Sequence, residues 1–404
     1  MVQIENLIEK TPSFKQITAD LQPKNHQLIT GISGSARTEL LSALSKEGQQ
    51  PILVVTDTIS HMQELASDLE NLLPANRVYQ FPVEEVLAAE VATSSPNYRL
   101  QRVLALNALI NREPTVVVAS AAGLRRNIIS PEYFAQSSLK IKTGGEVDPA
   151  KIRQQLSAMG YQYQKMVLRP GDFAIRGSII DIYALNTDNP VRIDLFDTEV
   201  DSLRYFDAST QRSIDNVEEV QILPATDFII PATEFSRVYE ALDTEYKKVV
   251  KELSADDADI KQQVANRFEP LLNALKNQHL PNELLEFSNL VYPAKHSLFD
   301  YLPDDGTIYF DDLTRIKQFA KQMTQEDVGW FKDKVAHHQL TDVPDLSNDV
   351  STIIKKDLHP QIYGALFKKG LGNIKLSQIT DLKSRTMQRF FGQMPLLKAE
   401  LQRW

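Results

Sequence analysis

The spacing of apolar residues along the chain changes period several times, and each change predicts an element. His26-Gln-Leu-Ile-Thr30 is an apolar run of strand length. Over Thr38–Lys46, Leu40, Leu41 and Leu44 recur at helical spacing, and Gly48 supplies a stop. Pro51-Ile-Leu-Val-Val55 predicts a second strand, His61–Leu73 an amphipathic helix, Arg99–Leu109 another helix, and Thr115-Val-Val-Val-Ala119 a third strand. Strands alternating with helices predict a parallel α/β sheet.

The texture changes at Leu139. Asp148 followed by Pro149 has the form of a helix N-cap with proline at the first position, and Gly160 marks its end. Asp172–Tyr183, Val191–Phe196, Ser202–Phe206 and Val217–Ile222 then read as strands, with Asn186-Thr-Asp-Asn-Pro190 as a turn. From Ala232 the pattern is helical, over Glu234–Leu253 and Ile260–Lys276, with a break or kink expected near Pro270. Thr307-Ile-Tyr-Phe310 predicts a late strand able to rejoin the first sheet. Thr341–Asp349 is polar, contains Pro344 and reads as a linker. Leu396, Leu397, Glu400, Leu401 and Trp404 keep helical spacing to the last residue without a capping signal, which suggests a chain cut inside a domain. The expected organisation is an α/β domain in two segments, 1–138 and 223–343, with an α+β domain inserted at 139–222. Residues 344–404 are expected to form a linker and the beginning of a further domain.

Composition narrows the function classes. The chain has no cysteine, which excludes disulfides, thiolate metal sites and a cysteine nucleophile. No apolar run is long enough to span a bilayer, and Met1-Val-Gln-Ile-Glu-Asn lacks a signal-peptide pattern, so a cytoplasmic protein without a membrane partner is expected. A net charge of −9 argues against a broad, non-specific grip on DNA. The charge is uneven: Gln361–Trp404 holds eight basic residues, among them Lys368, Lys369, Lys383, Arg385, Arg389 and Arg403, against Asp381 and Glu400. A solvated helix face and a nucleic-acid contact both explain that stretch.

The sharpest motif is Gly31-Ile-Ser-Gly-Ser-Ala-Arg-Thr38. A phosphate-binding loop of helicase type reads G-x-[ST]-G-[ST]-G-K-[ST]; its glycines let backbone N–H groups close on phosphate and its lysine reaches the β/γ-phosphates. Gly31, Gly34, Ser35 and Thr38 fit the pattern, but Ala36 replaces a glycine and Arg37 replaces the lysine with a planar fork. The loop therefore reads as an ATPase scaffold that has lost its chemistry, or as a plain tight βα turn. Asp311 and Asp312, which end the late strand, occupy the position of Mg²⁺-holding acids, though a strand-terminal turn or helix cap also accounts for them. The seven histidines show no two-ligand helical spacing with an acid, so no metal is expected.

A second candidate is Val191-Arg-Ile-Asp-Leu-Phe-Asp197. The two-residue period of a strand puts Val191, Ile193 and Leu195 on one face and Arg192, Asp194 and Phe196 on the other. The aliphatic face must be the core side, leaving an exposed ring beside an arginine, the composition of protein–protein hot spots. Arg176, in Asp172-Phe-Ala-Ile-Arg, is expected on the same surface. The alternative has Arg176 and Arg192 pairing with neighbouring carboxylates such as Asp194, with Phe196 covering the sheet edge.

These residues together resemble the N-terminal part of the bacterial transcription-repair coupling factors. The resemblance covers the decayed loop, Phe81-Pro-Val-Glu-Glu-Val-Leu, Ser94-Ser-Pro with Arg99 and Arg102, and Val118-Ala-Ser-Ala-Ala-Gly-Leu-Arg-Arg126. It continues through Gly160-Tyr161, Gly171-Asp-Phe-Ala-Ile-Arg-Gly177, Val191–Asp197 and Asp201-Ser-Leu-Arg-Tyr-Phe206. The Ile-Arg-Gly and Arg-Ile-Asp-x-Phe pair is shared with the excision-repair protein UvrB. The resemblance implies a degenerate P-loop NTPase-like, UvrB-like α/β domain whose insert binds the damage sensor UvrA through Arg176, Arg192 and Phe196. It also implies that ATP, Mg²⁺, RNA polymerase and double-stranded DNA belong to family domains beyond residue 404, with no cofactor for this chain. Two other functions stay open: a residual ATPase using Arg37 with Asp311 and Asp312, and a DNA-binding module acting through the basic C-terminal stretch.

Overall fold

The computed structural model describes residues 8–86, 95–254, 257–384 and 393–402. Its first unit runs β1 (His26–Thr30), helix Ser35–Glu47, β2 (Ile52–Thr56), helix Ile59–Glu70, β3 (Val78–Phe81), helix Pro96–Ile110 and β4 (Val116–Ser120). The insert follows: β5 (Leu139–Lys142), helix Pro149–Ala158, β6 (Gln162–Tyr163), β7 (Asp172–Arg176), β8 (Ile179–Ile182), β9 (Val191–Phe196), β10 (Glu199–Phe206), β11 (Ser213–Val217) and β12 (Glu219–Ile222). After two long helices, Phe235–Glu252 and Ala258–Lys276, the chain supplies β13 (Thr307–Asp311), helix Leu313–Ala336, β14 (Gln361–Gly364) and β15 (Gln378–Asp381).

The large sheet has seven strands in the order β15-β1-β14-β13-β2-β4-β3, and every neighbouring pair is parallel. Strand geometry sends alternate side chains to opposite faces. Leu53, Val55, Val117, Ala119, Ile308 and Phe310 enter one core; Ile52, Val54, Val116, Val118 and Tyr309 enter the other. Helices pack on both faces, which is why β2 and β4 are apolar throughout instead of alternating.

Three expectations change here. Residues 361–381, expected within a further domain, rejoin the first sheet: β14 lies in its interior, between β1 and β13, and β15 flanks β1. The polar stretch read as a linker is docked, because Asn348 donates its side-chain amide to the carbonyls of Arg126 and His296, both at 3.0 Å. The strand Gln361-Ile-Tyr-Gly escaped notice because it carries polar groups, yet these are satisfied inside. Gln361 donates to the Ile354 carbonyl at 3.2 Å and accepts from the Tyr363 hydroxyl. The break expected near Pro270 is also absent, since helix Ala258–Lys276 runs through it. Phe268, Leu271, Leu272 and Leu275 are buried around the proline, and their packing offsets the one lost backbone hydrogen bond.

In the insert, six strands are ordered β11-β10-β9-β8-β7-β6, with β12 paired to β5 in a separate ribbon. The single strand expected over Val217–Ile222 thus divides at Glu218 between two sheets, and the Asp172–Tyr183 run is a hairpin turning at Gly177, where φ is +63°. Asp148 accepts from the Ala150 and Lys151 amides, capping helix Pro149–Ala158, which covers the aliphatic face of the sheet. The insert's exit is tied to the first unit by Asp227, which is fully buried between Arg102 at 2.9 Å and Arg126 at 3.0 Å. Burial alone would raise the Asp227 carboxyl, but the two guanidinium groups outweigh it and hold it below the usual carboxylate range. Ser94 and Leu87 of the motif stretches lie outside the described residues, as do Arg385, Arg389, Arg403 and Trp404. No helix among the described residues is long and apolar enough to cross a membrane.

Candidate functional site

Register across the insert builds the site. On β9, Val191, Ile193 and Leu195 are buried, whereas Phe196 is 77% exposed, the most exposed large apolar side chain among the described residues. On the outward face, Arg176 lies opposite Ile179, Ile179 opposite Asp194, Asp181 opposite Arg192, and Arg192 opposite Arg204. Antiparallel pairing therefore places Arg176, Arg192 and Phe196 on one surface, although 20 residues separate the first from the last in sequence.

The centre of that surface is a residue that sequence reasoning missed. Asp181 is fully buried and accepts from Arg192 Nε at 2.6 Å and Nη2 at 2.9 Å, and from Arg176 Nη2. Arg192 also donates to Gln211 Oε1 at 3.2 Å and stacks on the Phe206 ring at 4.3 Å, so its side chain is largely covered. Its hydrogen bond to Asp181 raises the guanidinium pKa despite burial. Arg176 keeps 45% of its side chain exposed. The carboxylate partner expected for these arginines, Asp194, is instead engaged by Arg204 at 2.5 Å and Ser202 at 3.2 Å. The signal for Asp181 was present in Ile179-Ile-Asp-Ile182: with Ile180 and Ile182 inward, parity turns Asp181 toward Arg192.

At the other candidate, β1, a glycine turn and helix Ser35–Glu47 follow one another. Gly31 and Gly34 take φ of +66° and +54°, and Gly34 precedes the first residue of helix Ser35–Glu47, Ser35. Gly31 and Arg37 of this loop are engaged within the protein. Gly31 donates its N–H to the Leu366 carbonyl at 3.1 Å, and its carbonyl accepts from the Ser384 amide at 2.9 Å. Arg37 is ion-paired with Asp311, Ala36 packs at the edge of the core, and Thr38 is buried. Burial pushes the Asp311 carboxyl up, with Arg37 opposing. Asp312, at φ +60°, caps helix Leu313–Ala336 through the Thr314 and Arg315 amides and takes Lys369 Nζ at 2.6 Å. Against burial, these donors hold its carboxyl below the usual range. Asp57 is held by His61 at 2.5 Å and Arg315 at 2.9 Å. Among the described residues, no group of three or more His, Asp or Glu side chains is placed to hold a metal ion.

Residues 139–228, which contain the whole outward face, match the UvrB interaction domain family. The entire chain aligns with the transcription-repair-coupling factor of Bacillus subtilis (strain 168) at 34% identity, and with that of Staphylococcus aureus (strain USA300) at 28%. The chain is similar along its whole length to transcription-repair-coupling factors, and within residues 139–228 to the UvrB interaction domain. It spans about a third, 34%, of the length of each of these curated relatives. The matched family segment thus coincides with the unit carrying Arg176, Arg192 and Phe196, and it ends just past Asp227.

Proposed function

We propose that this chain is the recruitment module of a transcription-repair coupling factor. Its inserted domain binds UvrA through Arg176, Arg192 and Phe196, and the complete protein thereby connects a stalled RNA polymerase to nucleotide excision repair. The observation that carries the reading is Phe196: a phenyl ring 77% exposed, on the same face as the ion-paired arginines, inside the segment that matches a UvrB interaction domain. An apolar ring left in water beside guanidinium groups is the composition of an interface anchor.

The α/β unit, in this reading, is a degenerate P-loop fold serving as a rigid frame without ATP turnover. Arg37 and Asp311 neutralise each other where the loop would meet phosphate, which argues against a residual ATPase. Polymerase engagement, DNA translocation and the use of ATP and Mg²⁺ are assigned to the remainder of the family's longer chain. The test is a pull-down of UvrA by the 404-residue chain. Arg176→Ala with Phe196→Ala should leave the thermal melt unchanged and abolish capture; capture by the folded double variant would rule this site out.

A further inference from the structure

We propose that Asp181 is a positioning residue for the docking face: it fixes Arg176 and Arg192 so that Arg176 presents its remaining N–H donors to a carboxylate on the partner. The inference rests on the UvrA-binding reading above and names the residue through which that face is organised.

One carboxylate serves two cations here. Both Asp181 oxygens are taken, Oδ1 by Arg192 Nε and Oδ2 by Arg192 Nη2 and Arg176 Nη2. Arg192 is further immobilised by Gln211 and by the Phe206 ring, which packs with Val167 and Ala174 in a small apolar cluster on this side of the sheet. The clamp on Asp181 is therefore anchored from one flank, and the Asp181 carboxylate carries that rigidity across β8 to Arg176 on β7. Arg176 is the exposed member, bound to Asp181 through Nη2; Asp181 itself has no surface to offer a partner. A long side chain held before binding loses less conformational entropy on docking, so fixing Arg176 slows dissociation. Its free donors form a planar fork, which a carboxylate matches in two-point geometry.

The test separates positioning from charge. Asp181→Asn makes the face more positive, so a role in bulk charge alone would speed association with an acidic partner and tighten binding. Positioning predicts the opposite: UvrA dissociates about tenfold faster or more from the folded variant, while association is not slowed. It also predicts that Asp181→Asn speeds dissociation less in an Arg176→Ala background than in the parent chain, because one of its two arginine routes to the partner is gone. Should Asp181→Asn fail to fold, Asp181→Glu carries the same cycle, keeping the charge but displacing the carboxylate that holds both arginines. A folded variant with wild-type dissociation, or equal losses with and without Arg176, would overturn the inference. Retained binding by the Arg176→Ala and Phe196→Ala double variant would instead overturn the UvrA-docking reading beneath it.

Discussion

Arg37, standing where a phosphate loop carries lysine, is ion-paired with Asp311 at the end of β13 in the same sheet as β1. This pair closes the loop internally, and it predicts that calorimetric titration of the chain with Mg-ATP gives no heat at micromolar concentration. Arg37→Ala removes the cation that opposes burial of Asp311, so the carboxyl should move further up. A carboxyl raised on folding contributes stability below its ordinary pKa and loses it as pH rises through the folded value. Arg37→Ala should therefore destabilise the chain more at pH 7 than at pH 4, which paired thermal melts would detect.

Much of this was legible in the sequence where one period governs. The strands β2, β4 and β9 follow from runs of apolar residues or strict alternation, and Phe196 was placed outward by parity alone. The misreadings share a cause. β14 is buried although it opens with Gln361, because the Ile354 carbonyl and the Tyr363 hydroxyl satisfy that amide. Asp181 was not singled out in the sequence, because its role depends on two arginines brought to it by hairpin register. Long-range satisfaction of polar groups is not written in local spacing.

The interior position of β14 makes a direct prediction about truncation. A chain ending at residue 343 loses the strand between β1 and β13, and the edges left behind expose unpaired backbone. It should lack a cooperative melt. An independently folding 1–343 fragment with the parent's melting temperature would mean that the sheet does not depend on β14.

Gly31 tests how closely the last strand is packed on the loop. A Cβ there would fall 2.9 Å from the Lys383 amide nitrogen, on a backbone already at φ +66°. Gly31→Ala should cost about 1–3 kcal/mol in denaturant unfolding, whereas Gly370→Ala, where no heavy atom lies within 4 Å of the added Cβ, should cost far less. Equal losses at both positions would show that the 381–384 segment does not press on the loop.

Asp227 governs the acid limb. Its carboxyl is held low by Arg102 and Arg126 against burial, so its stabilisation is present above the ordinary carboxylate pKa and fades as pH falls through the depressed folded value. Asp227→Asn removes the buried carboxylate that Arg102 and Arg126 share, and should cost about 3–5 kcal/mol near neutrality. The gap from wild type should narrow only below the usual carboxylate range. A gap that stayed constant down to the acid transition would separate Asp227 from acid unfolding.

The central claim concerns one ring. Calorimetry of UvrA with the 404-residue chain and with its Phe196→Ala variant measures it most directly, because Phe196 supports no core contact whose loss would unfold the domain. The account predicts an unchanged melt and an affinity weaker by about thirtyfold, the roughly 2 kcal/mol of an interface anchor. Wild-type affinity in a folded Phe196→Ala chain would contradict it.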